Sequence, residues 1–132
     1  HVSMLLDLYL TSQNNEIKRS IYNLLIDIRD KEFPQLIVDC IKIPKYTAIV
    51  GDLVSICWQS GFQYSNYIDV FVETLISSDY KTAFECLTVI EENIDKISPE
   101  KKIEVMSKLN NSLTSISAEK GELVKESIKM FF

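Results

Sequence analysis

The chain has 132 residues, 46% of them hydrophobic and 25% charged, with a formal charge of −5. These values suit a folded domain and exclude a disordered or low-complexity tract. Three glycines and three prolines are too few for the turns of a β-sandwich or barrel, and no Asn-Gly or Asp-Gly hairpin signal occurs.

Apolar residues recur every three or four positions, and the breaks between them carry helix punctuation, which predicts eight helices. The first, over about residues 2–11, is almost entirely apolar (Val2, Leu5, Leu6, Leu8, Tyr9, Leu10) and reads as an element covered by something else. Asn14 or Asn15 caps the second, whose stripe is Ile17, Ile21, Leu24, Leu25 and Ile28. Phe33-Pro34 opens the third, with Leu36, Ile37, Cys40 and Ile41 on the same face as Phe33. Pro44 opens the fourth, carrying Tyr46, Ile49, Val50, Leu53, Ile56 and Cys57, and Gly61 supplies its left-handed end.

Ser65 is expected to cap the fifth helix (Ile68, Phe71, Val72, Leu75, Ile76) and Asp79 the sixth (Ala83, Phe84, Leu87, Ile90, Ile94). Ser98-Pro99-Glu100 is the strongest start signal: an N-cap, a first-turn proline and an acid at the positive end of the helix dipole. Ile103, Met106, Leu109 and Leu113 follow as the seventh helix's stripe. Ser117 caps the last, with the weaker stripe Leu123, Val124, Ile128 and Phe131.

Short connections force consecutive helices to pack antiparallel, giving four hairpins at about 2–30, 33–60, 65–95 and 98–131. Ile21-Leu25-Ile28, Ile49-Leu53-Ile56 and Ala83-Leu87-Ile90 share one spacing on the second members. Recurrence near every thirty residues is the mark of divergent helical repeats. The expected fold is all-α, a short α-solenoid forming a single domain over residues 1–132.

Ile43-Pro44-Lys45-Tyr46, Cys57-Trp58-Gln59-Ser60-Gly61 and Asp79-Tyr80-Lys81-Thr82-Ala83-Phe84-Glu85 give the middle third its character. Here the chain resembles the HEAT-like α-helical repeat class, in particular small uncharacterised bacterial proteins of that class. An armadillo-like subclass, or unclassified helical hairpins, stays open. The resemblance implies a binding scaffold, because such proteins mostly present a concave surface to other macromolecules.

Catalytic constellations are missing. The single histidine is His1, which excludes ordinary Ser-His-Asp and Cys-His arrangements. The glycines Gly51, Gly61 and Gly121 are scattered and form no phosphate loop. Cys40, Cys57 and Cys86 lie on or beside apolar stripes without C-x-x-C spacing, so buried, inert thiols in a reducing, cytoplasmic setting are expected. Glu91, Glu92 and Asp95 gather where the sixth helix ends and read as a solvated face rather than a cation site. No cofactor and no metal is expected. No apolar run reaches membrane-spanning length. The start His1-Val2-Ser3-Met4 lacks a basic n-region and, without an initiating Met, fits a piece of a longer chain.

Trp58 lies well away from the fourth helix's stripe, on the side of Thr47, Gly51 and Val54. Two readings stay open. The fourth helix is central and Trp58 fills a seam between repeats, or Trp58, Phe62, Tyr64 and Tyr67 form an exposed aromatic patch that anchors a protein partner. The leading expectation for function is a non-catalytic protein-protein interaction scaffold. Its partner is basic if it meets residues 67–132, which hold twelve acids against eight bases. An alternative is a nucleic-acid-acting protein of the helical-repeat DNA glycosylase type, offering Trp58 and Asp52, although Lys18, Arg19, Lys42 and Lys45 are too few for a phosphate footprint. A third is a helical subunit or fragment of a larger assembly. Its apolar ends, at the first helix and at Met130-Phe131-Phe132, would be covered by further sequence or by a homodimer partner.

Overall fold

Helix-capping chemistry sets the element boundaries. In the computed structural model, which describes residues 1–131, the side chains of Asn14, Asp79, Ser98 and Ser117 each accept backbone N–H bonds from the first turn they precede. The described residues form eight α-helices and no strand. They divide into two compact units, His1–Phe62 and Gln63–Phe132.

In unit 1, α1 (Val2–Thr11), α2 (Asn15–Asp27), α3 (Phe33–Ile41) and α4 (Val50–Ser60) pack so that α1 touches α2 and α3, and α4 touches α2 and α3. Pro44 does not open α4 directly. Residues Pro44–Ile49 form a 3-10 segment in which the Thr47 hydroxyl donates to the Pro44 carbonyl at 2.8 Å. That bond competes with the helical ladder. Ile49 then leaves helical geometry (φ −117, ψ 15), so the α-helix proper begins at Val50. It ends at Gly61, whose φ of 81 favours glycine.

Unit 2 repeats the arrangement with α5 (Ile68–Ser77), α6 (Tyr80–Asn93), α7 (Pro99–Ser112) and α8 (Ala118–Lys129): α5 touches α6 and α7, and α8 touches α6 and α7. Ser65 is not the cap of α5. Residues Ser65–Tyr67 form a 3-10 turn closed by the Tyr67 N–H to Tyr64 carbonyl bond at 2.9 Å, and α5 starts three residues later than Ser65.

The recurring trio lies on the second helices, save Ile28, one residue past the end of α2, and Ile49, one residue before α4. Ile21, Leu25, Ile49, Leu53, Ile56, Ala83, Leu87 and Ile90 are buried, and Ile28 is half-buried. Elsewhere the buried faces are narrower than the apolar patterns. On α2, Ile17 and Leu24 are exposed, leaving Ile21 and Leu25 to the core. The face of α7 is turned: Val105, Leu109 and Ser112 are buried and Ile103 is 70% exposed. Ser112 tolerates burial because its hydroxyl donates to the Leu109 carbonyl at 2.6 Å. On α1, Leu6 and Tyr9 are buried while Met4 and Leu8 stand in solvent. Phe131 is buried; Phe132, part of the apolar C-terminal end, lies outside the described residues.

Candidate functional site

The four aromatics of the expected patch divide between the units, Trp58 and Phe62 in the first, Tyr64 and Tyr67 in the second. Trp58 is half-buried near the end of α4, where the run Leu53–Cys57 is buried throughout. Phe62, also half-buried, lies 6.2 Å from the buried Phe33 ring and has the Arg29 guanidinium 5.9 Å from its ring centre. The same guanidinium donates to the Ser60 carbonyl at 3.0 Å, at the negative end of α4.

Tyr64 departs from the expected exposed anchor: it is fully buried, edge-on to Phe71 at 5.7 Å and beside Tyr67 at 6.2 Å. Its backbone N–H donates to the buried Asn93 side chain at 2.8 Å, and Asn93 in turn donates to the Val89 carbonyl. Tyr64 thus belongs to the core of unit 2, because a ring that can reach Phe71 removes more apolar surface from water inside than out. Tyr67 is half-buried.

Asp52, the acid of the glycosylase-type reading, accepts the Tyr9 hydroxyl at 2.8 Å. Asp7 accepts the Tyr46 hydroxyl at 2.6 Å and pairs with Lys45 at 2.7 Å. Hydrogen bonds from Lys45 and Tyr46 hold the Asp7 carboxyl below its ordinary value, and the bond to Asp7, with burial, pushes Tyr46 up to about 12. Burial, followed by the Asp52 bond, raises Tyr9 as well. At neutral pH Asp7 is therefore ionised and both tyrosines are protonated, so each hydroxyl is the donor in a tie between elements. Among the described residues no group of His, Cys, Asp and Glu has the clustering of a metal site. Glu91, Glu92 and Asp95 are exposed, the three cysteines are buried, and burial raises the Cys40 thiol.

A different surface has the geometry of a binding site. Between α6 and α8 in unit 2 runs an open groove of about 310 Å³ lined by Tyr80, Phe84, Leu87, Glu122, Leu123 and Glu126. Phe84 is 52% exposed and Tyr80 41%, while Leu87 and Leu123 form a buried floor. The two glutamates stand exposed on one wall, each within reach of a lysine three residues on: Glu122 to Lys125 at 3.5 Å and Glu126 to Lys129 at 3.7 Å. Its size is at the low end for small-molecule pockets and it is open along one side, which suits side chains of a docked segment better than an engulfed ligand.

Lys120 positions that wall. Its side chain crosses to the C-terminal end of α5 and donates to the carbonyls of Ile76 and Ser78, the latter at 2.7 Å. This fixes the first turn of α8 at the corner where α5 passes into α6. Burial lowers the Lys120 pKa, partly countered by Asp79. Neither the Lys120 clamp nor Asn93 was visible as a site in the sequence. Phe84, which its spacing places on the buried stripe of α6, departs from that expectation and stands exposed with Tyr80, four residues before it on the same face.

Compared with known proteins, the chain matches no family model, no curated protein sequence and no solved structure. No helix among the described residues is long and apolar enough to cross a membrane.

Proposed function

We propose that this chain is a non-catalytic protein-interaction scaffold built as a short, HEAT- or armadillo-like α-solenoid and working in a reducing, cytoplasmic setting. The packing within each unit supports the solenoid reading: first helix lies on first helix and second on second, as in stacked hairpins. The observation that carries the functional reading is the α6/α8 groove, where Tyr80 and Phe84 stay exposed on α6 while Ala83, Cys86 and Ile90 anchor that helix in the core. Rigid elements presenting exposed aromatics are what protein recognition uses. The glycosylase-type alternative is less well supported, because Asp52 already accepts the Tyr9 hydroxyl and the chain lacks a dense lysine and arginine lining.

The test is affinity capture from the source cell with the tagged chain, run in parallel with Trp58→Ala and Phe84→Ala. A specific protein retained by the wild type and lost with either variant, at unchanged helicity by circular dichroism, supports the scaffold. Capture of nothing that either substitution alters counts decisively against it.

A further inference from the structure

We infer that the α6/α8 groove docks a basic amphipathic helix of a protein partner, an inference that rests on the scaffold reading and gives it a surface and a ligand chemistry. The groove separates into an apolar part, Tyr80, Phe84, Leu87 and Leu123, and a wall of two carboxylates, Glu122 and Glu126, each loosely paired with a lysine of its own helix at 3.5 and 3.7 Å. The apolar part calls for apolar anchors and the wall for lysine or arginine beside them.

Glu122 and Glu126 are four residues apart, so they stand about one helical turn from each other. Complementary cations must repeat at a similar interval, which a helix with basic residues at i and i+4 provides. A third helix laid along the trough between two packed helices is the usual way such a groove is filled. Lys125 and Lys129 do not close the wall against it, because exposed pairs three residues apart are held weakly and exchange readily for an incoming cation.

Charge also discriminates between occupants. Residues 63–132 hold twelve acids and eight bases in a chain of net charge −5, so a second copy would bring like charge to an acidic wall. An anionic lipid surface meets the same repulsion.

The probe is a labelled, amidated peptide of about 14 residues, roughly four helical turns, with leucine at i, i+3, i+4 and i+7 and lysine elsewhere, titrated with the whole chain by fluorescence anisotropy. A peptide with glutamate in place of every lysine is the control. The expected result is binding of the lysine peptide only, weakened roughly tenfold by Phe84→Ala and by the double variant Glu122→Gln, Glu126→Gln. Ile103→Ala, on the exposed face of α7, should leave the affinity within about twofold, as an uncoupled surface site does. The glutamate variants change no buried side chain, so they keep the test open should Phe84→Ala fail to fold.

Three outcomes overturn the inference: no binding of the lysine peptide, binding indifferent to the groove variants, or a dimer in sedimentation that Phe84→Ala dissolves, which would seat a second copy there. Peptide binding that Trp58→Ala abolishes and the groove variants leave intact overturns the groove while the scaffold stands. Groove-dependent peptide binding, with no cellular protein captured, removes the scaffold reading and leaves the groove chemistry supported.

Discussion

The two units share one helix-packing pattern but tie their helices differently. In unit 1 the cross-helix polar contacts run largely through tyrosine hydroxyls, Tyr9 to Asp52, Tyr46 to Asp7, and Tyr22 with Ser55 and Gln59, beside the Lys45–Asp7 pair and the Arg29 bond to the Ser60 carbonyl. In unit 2 they run through lysines: Lys101 to Asp69, Lys108 to Glu73, and Lys120 to the end of α5. A tyrosine tie buries much of its ring and keeps a neutral donor, so only its acceptor, a carboxylate at Asp52 and Asp7, carries charge. A lysine tie on the surface is screened by salt and stabilises little; one that is buried, as at Lys120, gains more and loses more on desolvation.

The largest expected effect sits at that buried lysine. Lys120→Met keeps the side-chain volume but leaves the Ile76 and Ser78 carbonyls without their charged donor, and should cost about 1–3 kcal/mol in urea unfolding followed by circular dichroism. A stabilised variant would mean that desolvation outweighs the bonds, and would break the contrast between buried and surface lysines. The next effect is in unit 1. Tyr46→Phe and Tyr9→Phe should each cost about 1–2 kcal/mol, because a carboxylate loses a bound hydroxyl while the ring stays in place. Trp58, the chain's single tryptophan, lies in unit 1 and reports these losses by fluorescence.

What was legible in the sequence was local. Asn14, Asp79, Ser98, Ser117 and Gly61 act within one turn of themselves, and the structure places each at the helix end its chemistry implies. Pro44 and Ser65 open 3-10 turns rather than the α-helices expected there, a local departure, but the other failures needed partners beyond the turn. Tyr64 reads as a surplus surface aromatic until Phe71 and Asn93 are brought to it, the latter 29 residues away. On α7, Ile103 and Val105 are equally apolar, and only the packing of α5 and α8 decides that Val105 goes inside. The groove needs α6 and α8, about 40 residues apart, side by side, and no periodicity within either helix encodes that pairing.

Alkaline pH should act on the tyrosine ties with a definite sign. An unfolded tyrosine ionises near its ordinary 10.0, whereas folded Tyr46 holds its proton to about 12 and Tyr9 is raised in the same direction. Their contribution is complete below pH 10.0 and is lost as pH rises through the window up to about 12. The tryptophan-detected urea midpoint should therefore fall between about pH 9 and about pH 11, and fall less in the Tyr9→Phe, Tyr46→Phe double variant. Unit 2 carries opposing shifts. Lys101, raised by its bond to Asp69, loses stabilisation as pH climbs past 10.5, while Lys120, lowered by burial, gives more stability as pH rises toward 10.5.

The smallest effect is the sharpest test of the lysine ties. Lys108 reaches Glu73 at 2.7 Å, a shorter contact than many buried bonds, yet both side chains are substantially exposed. Water and salt compete for each charge, and ordering two long side chains costs entropy that offsets the attraction. Lys108→Gln should then change stability by less than about 0.5 kcal/mol at low salt, and the difference should vanish at about 0.5 M salt. A loss as large as that of Lys120→Met would show that geometry rather than burial sets the strength of these ties.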